Sequence, residues 1–555
     1  MVAVAYLLLL DHNAAHAQAT PDTTSAPHDW FLRDPASEQI QGMSVEKAYS
    51  LLQGKPSKTV VVAVVDSGID IDHEDLKDVI WTNTDEIPGN NIDDDKNGYV
   101  DDVNGWNFIG GKNGDVNEDT NEVTREYKRL KPKYENIDEK KISKKAKAEY
   151  EYWKKVKAKY ERDSKFNIDQ YTQFKQQYEM YVGVLSTVKL QDSVLRSKLH
   201  INTVTRTVLD TIKSDDSAII LAKGILQRVF ESVDQGVDMT QFIDELEGYL
   251  DYLDEALDHY KAAAETTYNL EQDPRAIVGD DYSNINERNY GNSHVQGGNP
   301  MHGTHVAGVI GANRTNNIGI KGIADNVKIM AVRVVPPGGD ERDKDIANAI
   351  YYAVDNGAQI INMSFGKAFS PDKAAVEKAT HYAEAKGVLL VHAAGNDGDD
   401  NDTDENFPNR YYIKEKKEAK NWLEVGASTW TKDGKLAASF SNYGKKSVDF
   451  FAPGVQIYSP EPGNEYTAVD GTSFASPATA GVAALIMSYF PNLKATQVRD
   501  ILRQSTRKFD NLKVARPGTT EQVEFSQLSN TGGVVNAYEA VKLAETVSNQ
   551  SPESK

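Results

Sequence analysis

Three short segments of this chain carry residues that could together perform nucleophilic catalysis. In residues 471–477 (GTSFASP), Ser473 lies between small residues, directly before an apolar run with helical spacing over 478–489. The N-terminus of that predicted helix offers free backbone N–H groups and the positive end of the helix dipole, which favour developing negative charge. A serine nucleophile also needs a base to take its proton. Taken alone, Ser473 would be interpreted as an ordinary helix N-cap; the other two segments reverse that interpretation.

The other two segments supply a candidate base and a candidate carboxylate. Residues 302–308 (HGTHVAG) place His302 in a glycine-flanked turn that runs into an apolar stretch. Residues 60–66 (VVVAVVD) form a continuous apolar run that ends on Asp66 and is followed by Ser-Gly. The three segments together resemble the subtilisin-like serine proteases, or subtilases, whose patterns D-[ST]-G, H-G-T-H-x-A-G and G-T-S-x-A-x-P occur in this order. Phe474 stands where methionine is usual, and the resemblance covers roughly 60–109 and 274–502.

The resemblance implies a role for each of these residues. Ser473 would attack the peptide carbonyl, and His302, not His305, would take its proton and later protonate the leaving amine. Asp66 would hold the imidazole in the correct tautomer and stabilise the imidazolium. Asn396 ends an A-A-G-N segment like that of the family's oxyanion-hole asparagine, and its amide would donate to the oxyanion together with the backbone N–H of Ser473.

Two further segments resemble the substrate-binding walls of the family. Ser364, Phe365 and Gly366 match the S-x-G segment that pairs with the substrate backbone and lines the pocket for the residue before the cut. Ala394 and Gly395 directly precede Asn396 and are expected to face the same pocket.

An acidic stretch after the first motif predicts a calcium site. Residues 91–108 (NIDDDKNGYVDDVNGWNF) match the ligand spacing of an EF-hand loop, with a glycine at its sharp turn. The predicted ligands are Asp93, Asp95, Asn97, Tyr99 and Asp101. Asn104 stands where a bidentate acid is expected, so Asp102 is the alternative carboxylate. The calcium ion would hold the loop after Asp66 rigid; the competing interpretation is a solvated acidic turn.

The segments that must position these residues alternate between strand and helix. Apolar runs predict strands over 60–65, 327–335, 358–363 and 387–393, with helices over 345–356 and 373–386. This βαβ alternation predicts an α/β fold with a doubly wound, mostly parallel sheet, as the resemblance also implies. Polar residues follow several strands directly, so the candidate residues would share the carboxyl edge of one sheet.

Residues 124–269 differ from the rest of the chain. Lys, Glu, Tyr, Ala and Leu dominate, and apolar residues recur at helical spacing, which predicts an all-helical domain inserted between the Asp and His motifs. It is either a spacer without a role in the chemistry, or a flank of the cleft that limits substrate access or recruits a partner. The predicted organisation is a signal peptide (1–19), a first catalytic part (20–123), the helical insertion (124–269), a second catalytic part (270–547) and a polar tail (548–555).

Composition narrows the functional classes further. With 555 residues and a net charge of −21, nucleic acid is a poor candidate partner. The absence of cysteine excludes disulfides, zinc–thiolate sites and a cysteine nucleophile. The apolar run 2–10 followed by Ala-His-Ala predicts a secretory signal peptide, hence a secreted or periplasmic enzyme without a membrane span in the mature chain.

These observations predict a secreted serine endopeptidase that acts on protein or peptide substrates, without an organic cofactor. A peptide ligase or self-processing enzyme would share the same acyl-enzyme, and only product analysis with an added amine separates it from a hydrolase. A non-catalytic, calcium-dependent binding protein is the third hypothesis. The four matched catalytic positions argue against it, because a binding protein has no need of them.

Overall fold

The computed structural model describes residues 25–231, 233 and 236–550. Among the described residues, nine strands form one large sheet: β1 Val60–Asp66, β2 Gly105–Asn107, β5 Val327–Arg333, β6 Ile360–Met363, β7 Leu389–Ala393, β10 Trp422–Ser428, β11 Phe450–Pro453, β14 Arg507–Lys508 and β17 Gly533–Val534. Their order in the sheet is β14-β17-β11-β10-β7-β6-β1-β5-β2. Short two-stranded pairs are formed by β3 Gly110–Gly111 with β4 Gly114–Asp115, β8 Tyr411–Tyr412 with β9 Lys417–Glu418, β12 Ile457–Glu461 with β13 Glu465–Val469, and β15 Lys513–Ala515 with β16 Gln522–Glu524.

Helices separate the strands along the chain. They are α1 Pro35–Glu38, α2 Val45–Leu52, α3 Glu122–Tyr134, α4 Lys147–Leu199, α5 Arg206–Thr211, α6 Ser217–Val229, α7 Met239–Ala262, α8 Met301–Gly311, α9 Asp343–Asp355, α10 Lys373–Lys386, α11 Thr472–Tyr489, α12 Ala495–Gln504 and α13 Ala537–Gln550. The strands of the large sheet pair in parallel, except that β14 pairs antiparallel with β17. The predicted α/β fold with a mostly parallel sheet is therefore confirmed.

The central strand β1 shows why both faces of the sheet are covered. Successive side chains of a strand point to opposite faces. Val62 and Val64 belong to the apolar cluster that includes residues of α8 and α11, whereas Ala63 and Val65 belong to the cluster that includes residues of α9 and α10. A strand buried on both faces must be apolar throughout, which is the pattern of residues 60–65.

The carboxyl edge of the sheet gathers the predicted site residues. Asp66 is the last residue of β1, Ser364 follows β6, and Asn396 lies three residues after β7. The strands β1, β6 and β7 are neighbours in the sheet. The chain then returns to this edge through α11, whose first turn contains Ser473.

Two compact units make up the chain. Residues 157–269 form a helical unit with its own apolar core, and residues 25–156 together with 270–550 form the unit that contains the sheet. Helix α3 and the first residues of α4 belong to the sheet-containing unit. The core of the helical unit includes Val188, Leu195, Leu226, Phe230 and Leu253, all buried.

The predicted signal peptide at 1–19 lies outside the described residues. Within the part of the chain that the structure describes, none of the helices combines the length and apolar character needed to cross a bilayer.

Candidate active site

Ser473 lies in the first turn of α11, at the carboxyl edge of the sheet. Its side chain is partly exposed, while its neighbours Thr472 and Phe474 are buried. The Ser473 hydroxyl donates a hydrogen bond to the backbone oxygen of Ser364 at 3.1 Å, and the Ser364 hydroxyl donates to the backbone oxygen of Ser473 at 2.7 Å. This reciprocal pair joins the first turn of α11 to the segment that follows β6.

His302 lies in the first turn of α8, beside the end of β1. Its Nδ1 is 2.7 Å from Oδ1 of Asp66, a carboxylate that is only 1% exposed and also accepts the backbone N–H of Ser67 at 2.7 Å. An Nδ1–H donor to the carboxylate leaves Nε2 as the basic nitrogen. Burial acts to lower the pKa of His302, but the charge of Asp66 and the hydrogen bond to it raise that pKa above its ordinary value of 6.5.

The imidazole of His302 and the nucleophile helix are neighbours. The ring of His302 lies 5.5 Å, centroid to centroid, from the ring of Phe474, the residue after Ser473. The single proton of the Ser473 hydroxyl is directed to Ser364 in this structure, so it is not shared with His302. Rotation of the hydroxyl about the side-chain bond would be required before proton transfer.

His305 has a different environment from His302. It is fully buried, and its Nε2 lies 2.9 Å from the backbone oxygen of Ile457. Burial lowers the pKa of His305 to about 3, so the ring is neutral across the working range of most proteins. A buried neutral imidazole bonded to the backbone is a packing group, whereas His302 is partly exposed and has a carboxylate partner.

Asn396 is held by its amide oxygen. That oxygen accepts the backbone N–H of Thr472 at 2.9 Å and the Thr472 hydroxyl at 2.8 Å. A backbone N–H can only face an acceptor, so this contact settles which end of the amide is oxygen. The NH₂ group is then the donor end of an exposed side chain, and Thr472, which holds the oxygen end, directly precedes Ser473.

The two predicted substrate-binding segments follow neighbouring strands, β6 and β7. The backbone N–H of Gly395 donates to the Thr472 hydroxyl at 3.2 Å, and the Asn406 amide donates to the backbone oxygen of Ala394 at 3.1 Å. A Cβ atom on Gly366 would lie 2.6 Å from the amide oxygen of Asn406. A side chain at 366 would therefore displace the Asn406 amide, which is bonded to the second segment at Ala394.

Phe365 lies between Ser364 and Gly366 in the first of these segments. Its ring is partly buried and meets the buried ring of His392 on β7 edge to face, with centroids 6.3 Å apart. The structure thus brings together the four predicted catalytic positions and the five predicted substrate-binding positions at one edge of the sheet.

In the acidic loop after β1, the carboxylates that lie close together are not the full set of predicted calcium ligands. Oxygens of Glu86, Asp95 and Asp102 lie within 4.8 Å of one another. Calcium–oxygen distances are about 2.3–2.6 Å, so oxygens at this separation can share one ion. Burial raises the pKa of Asp102 to about 6, as expected for a carboxylate in an anionic, partly desolvated cluster.

The other predicted ligands have different contacts. The carboxylate of Asp93 accepts the backbone N–H groups of Asn97 and Gly98, and that of Asp101 accepts three backbone N–H groups from residues 89–91. The Asn97 amide donates to Asp95 and Asp102, and the Tyr99 ring packs on Trp106. The sequence analysis did not predict Glu86 as a ligand, because this residue lies in a separate turn, outside the repeating spacing of the loop.

The chain is similar in sequence to several known proteins. A sequence profile described as "Subtilase family" matches residues 57–532. Alkaline elastase YaB of Bacillus sp. (strain YaB) is 39% identical over 221 residues, which are 40% of this chain and 53% of that protein. Subtilisin DY of Bacillus licheniformis is 39% identical over 202 residues, 36% of this chain and 68% of that protein. The match therefore spans about half the length of the elastase.

A solved structure described as a protease from Pseudoalteromonas arctica PAMC 21717 is also similar. It is 29% identical and covers 45% of this chain and 73% of that chain, with a TM-score of 0.36.

Proposed function

The chain belongs to the subtilase family, and on that premise we propose that it is a serine endopeptidase that hydrolyses peptide bonds through an acyl-enzyme on Ser473. The observation that carries the proposal is the 2.7 Å contact between His302 and the buried Asp66, beside the helix turn that presents Ser473. Protein or peptide substrates follow from that activity.

Proton transfer in this proposal runs from Ser473 to His302. The hydroxyl leaves Ser364, turns to Nε2 of His302 and attacks the carbonyl carbon as the proton moves to the imidazole. The imidazolium is stabilised by Asp66, and it then gives its proton to the leaving amine. A water molecule, activated by the same imidazole, releases the acyl group and restores the hydroxyl.

The oxyanion of the tetrahedral intermediate would receive two hydrogen bonds. One comes from the NH₂ group of Asn396, whose orientation is supported by the two contacts of its oxygen with Thr472. The other comes from the backbone N–H of Ser473, at the positive end of α11. Donors that are already oriented need no reorganisation during the reaction, which is why they favour the transition state.

We further propose a structural calcium ion held by Glu86, Asp95 and Asp102. Such an ion would offset the mutual repulsion of three clustered carboxylates and rigidify the loop between β1 and β2. The alternative ligand set is Asp93, Asp95, Asn97, Tyr99 and Asp101. The first set is favoured because oxygens of its three carboxylates already lie within 4.8 Å of one another.

Export is also part of the proposal. The apolar run at residues 2–10 and the Ala-His-Ala that follows support a cleaved signal peptide and a secreted or periplasmic enzyme. Mass spectrometry of the N-terminus of the protein recovered from the producing cells' medium and periplasm would test this directly.

The test of the activity compares casein hydrolysis by the wild type, Ser473→Ala and Ser488→Ala, each with calcium and with chelator. Ser488 lies in the same helix and donates to the backbone oxygen of Lys58, so its variant controls for a serine lost from α11. We expect hydrolysis to disappear only in Ser473→Ala. Undiminished hydrolysis by that variant would remove the basis of the proposal, and an added amine that ends up in the product would indicate a ligase.

A further inference from the structure

Lys367 follows the substrate-binding segment directly and is buried in an unusual way for a lysine. Its side chain is fully buried, and its Nζ donates to Glu122 at 2.7 Å and to the backbone oxygen of Glu341 at 2.9 Å. A carboxylate oxygen of Asp343 lies 2.9 Å away. A buried ammonium is stable only when it is paired and hydrogen-bonded, so these partners determine where the backbone at 367 can lie.

Glu122 is the first residue of α3 and connects this ammonium to a second loop. It is 2% exposed, its carboxylate also pairs with Arg125 at 2.9 Å, and its backbone N–H donates to Asp340 at 2.9 Å. Burial opposes ionisation of Glu122, but the charges of Arg125 and Lys367 hold its pKa well below the usual range. The carboxylate therefore stays charged and bound at neutral pH.

A second contact ties the same segment to the start of α4. The rings of Tyr152 and Phe369 meet edge to face with centroids 5.6 Å apart. On its other side the segment forms two backbone hydrogen bonds between Lys367 and Phe407, each 2.9 Å. The residues after Gly366 are thus held between the helices α3 and α4 and the loop that contains Phe407.

We propose that Glu122 and Lys367 form a positioning pair that sets the substrate-binding segment 364–366 for extended peptides. Helix α3 and Lys367 belong to the same unit, the one that contains the sheet, so the pair acts within that unit. The inference rests on the proposed endopeptidase function, and in particular on the pairing of residues 364–366 with the substrate backbone. Neither residue touches the reacting atoms; both act through the position of the segment.

The test measures two reactions of the same nucleophile. A tetrapeptide p-nitroanilide needs the segment 364–366 to align its backbone, whereas p-nitrophenyl acetate acylates Ser473 without any residue that could pair with it. In Glu122→Gln, which keeps the shape but removes the charge, we expect kcat/KM for the peptide to fall about 10-fold to 100-fold, because misplacement by about 1 Å has an effect of this order. The rate of p-nitrophenyl acetate hydrolysis should stay within about twofold of the wild-type rate. The loss of kcat/KM for the peptide should include a higher KM.

Asp119→Asn is the matched control. Asp119 is similarly buried near α3 and lies 3.8 Å from Arg125, the arginine that also pairs with Glu122, but its hydrogen-bonded partner is Arg342 at 2.7 Å rather than Lys367. We expect it to lower the melting temperature without changing the ratio of peptide to ester activity. The proposal would be overturned if Glu122→Gln left the ratio of peptide to ester activity unchanged, or if Glu122→Gln and Asp119→Asn changed that ratio equally. If Glu122→Gln does not fold, Glu122→Asp, which keeps the charge but withdraws it by one methylene, gives the same comparison.

The failure of this inference is distinguishable from failure of the proposed function. Ester hydrolysis that survives Ser473→Ala would contradict the proposed nucleophile, whatever Glu122 does. Ester hydrolysis that depends on Ser473, together with a constant peptide-to-ester ratio in the Glu122 variants, would contradict only the positioning pair.

Discussion

The substitution Gly303→Ala tests how closely α8 must approach β1 to place His302. Gly303 follows His302 in the first turn of α8 and is buried. A Cβ atom at this position would lie 2.1 Å from the backbone oxygen of Gly68 and 3.3 Å from Cβ of Asp66. The closer contact is with backbone, which cannot turn away as a side chain can.

The size of the effect follows from these distances. A carbon atom and a carbonyl oxygen need about 3.2 Å or more, so the helix and the turn after β1 must separate by about 1 Å. Overpacking of this kind typically costs about 1–3 kcal/mol of folding stability. The same displacement acts on the 2.7 Å contact between His302 and Asp66, and a 1 Å misplacement can reduce catalysis about 100-fold.

The assay is kcat/KM on a peptide p-nitroanilide, measured with the melting temperature of each protein. Gly248→Ala is the control: Gly248 lies exposed in α7, where an added Cβ meets nothing within 4 Å. That variant should keep full activity and gain up to about 1 kcal/mol of stability, since alanine favours helix over glycine. A Gly303→Ala enzyme with wild-type kcat/KM would refute the argument that this close approach positions His302.

Three further results are expected. In Asp66→Asn the acid-side inflection of the pH–rate profile should move from above pH 6.5 to lower pH, because His302 must be neutral to act and the charge that opposes the effect of burial on its pKa is gone; the maximal rate should fall about 10⁴-fold, and an inflection that stays in place would contradict the pairing. In Asn396→Ala, kcat should fall about 10²–10³-fold with little change in KM, a magnitude measured in a member of this family rather than derived from this structure; a loss confined to KM would argue against an oxyanion role. Calcium at one hundred times its Kd should stabilise the wild type by about 2.7 kcal/mol, seen as a higher melting temperature, and Asp95→Ala should abolish most of that gain; equal gains in both proteins would place the ion elsewhere.

The candidate catalytic residues could be identified from the sequence because each of them lies in a pattern that is local in the chain. A glycine-flanked histidine, an aspartate at the end of an apolar run and a serine before a helical run are patterns within seven residues. The sheet was predictable for the same reason, since strands buried on both faces are continuously apolar and alternate with helices. Parallel strands then bring their carboxyl ends to one edge, which is where Asp66, Ser364 and Asn396 lie.

Contacts between distant segments were not predictable in the same way. Glu86 joins Asp95 and Asp102 only because a separate turn folds back onto the loop, and a lone glutamate carries no local signature of that contact. The different environments of His302 and His305, three residues apart in α8, depend on what packs against each face of the helix.

The sequence by itself therefore determined the family, the α/β fold and the candidate catalytic residues, because each of these follows from short patterns with a fixed local geometry. Only the tertiary structure decided that the Ser473 hydroxyl is bonded to Ser364, and that Lys367 is buried against Glu122, 245 residues earlier in the chain. Such contacts depend on which side chains lose water together when the chain closes on itself, and that is a property of the assembled fold rather than of any one segment.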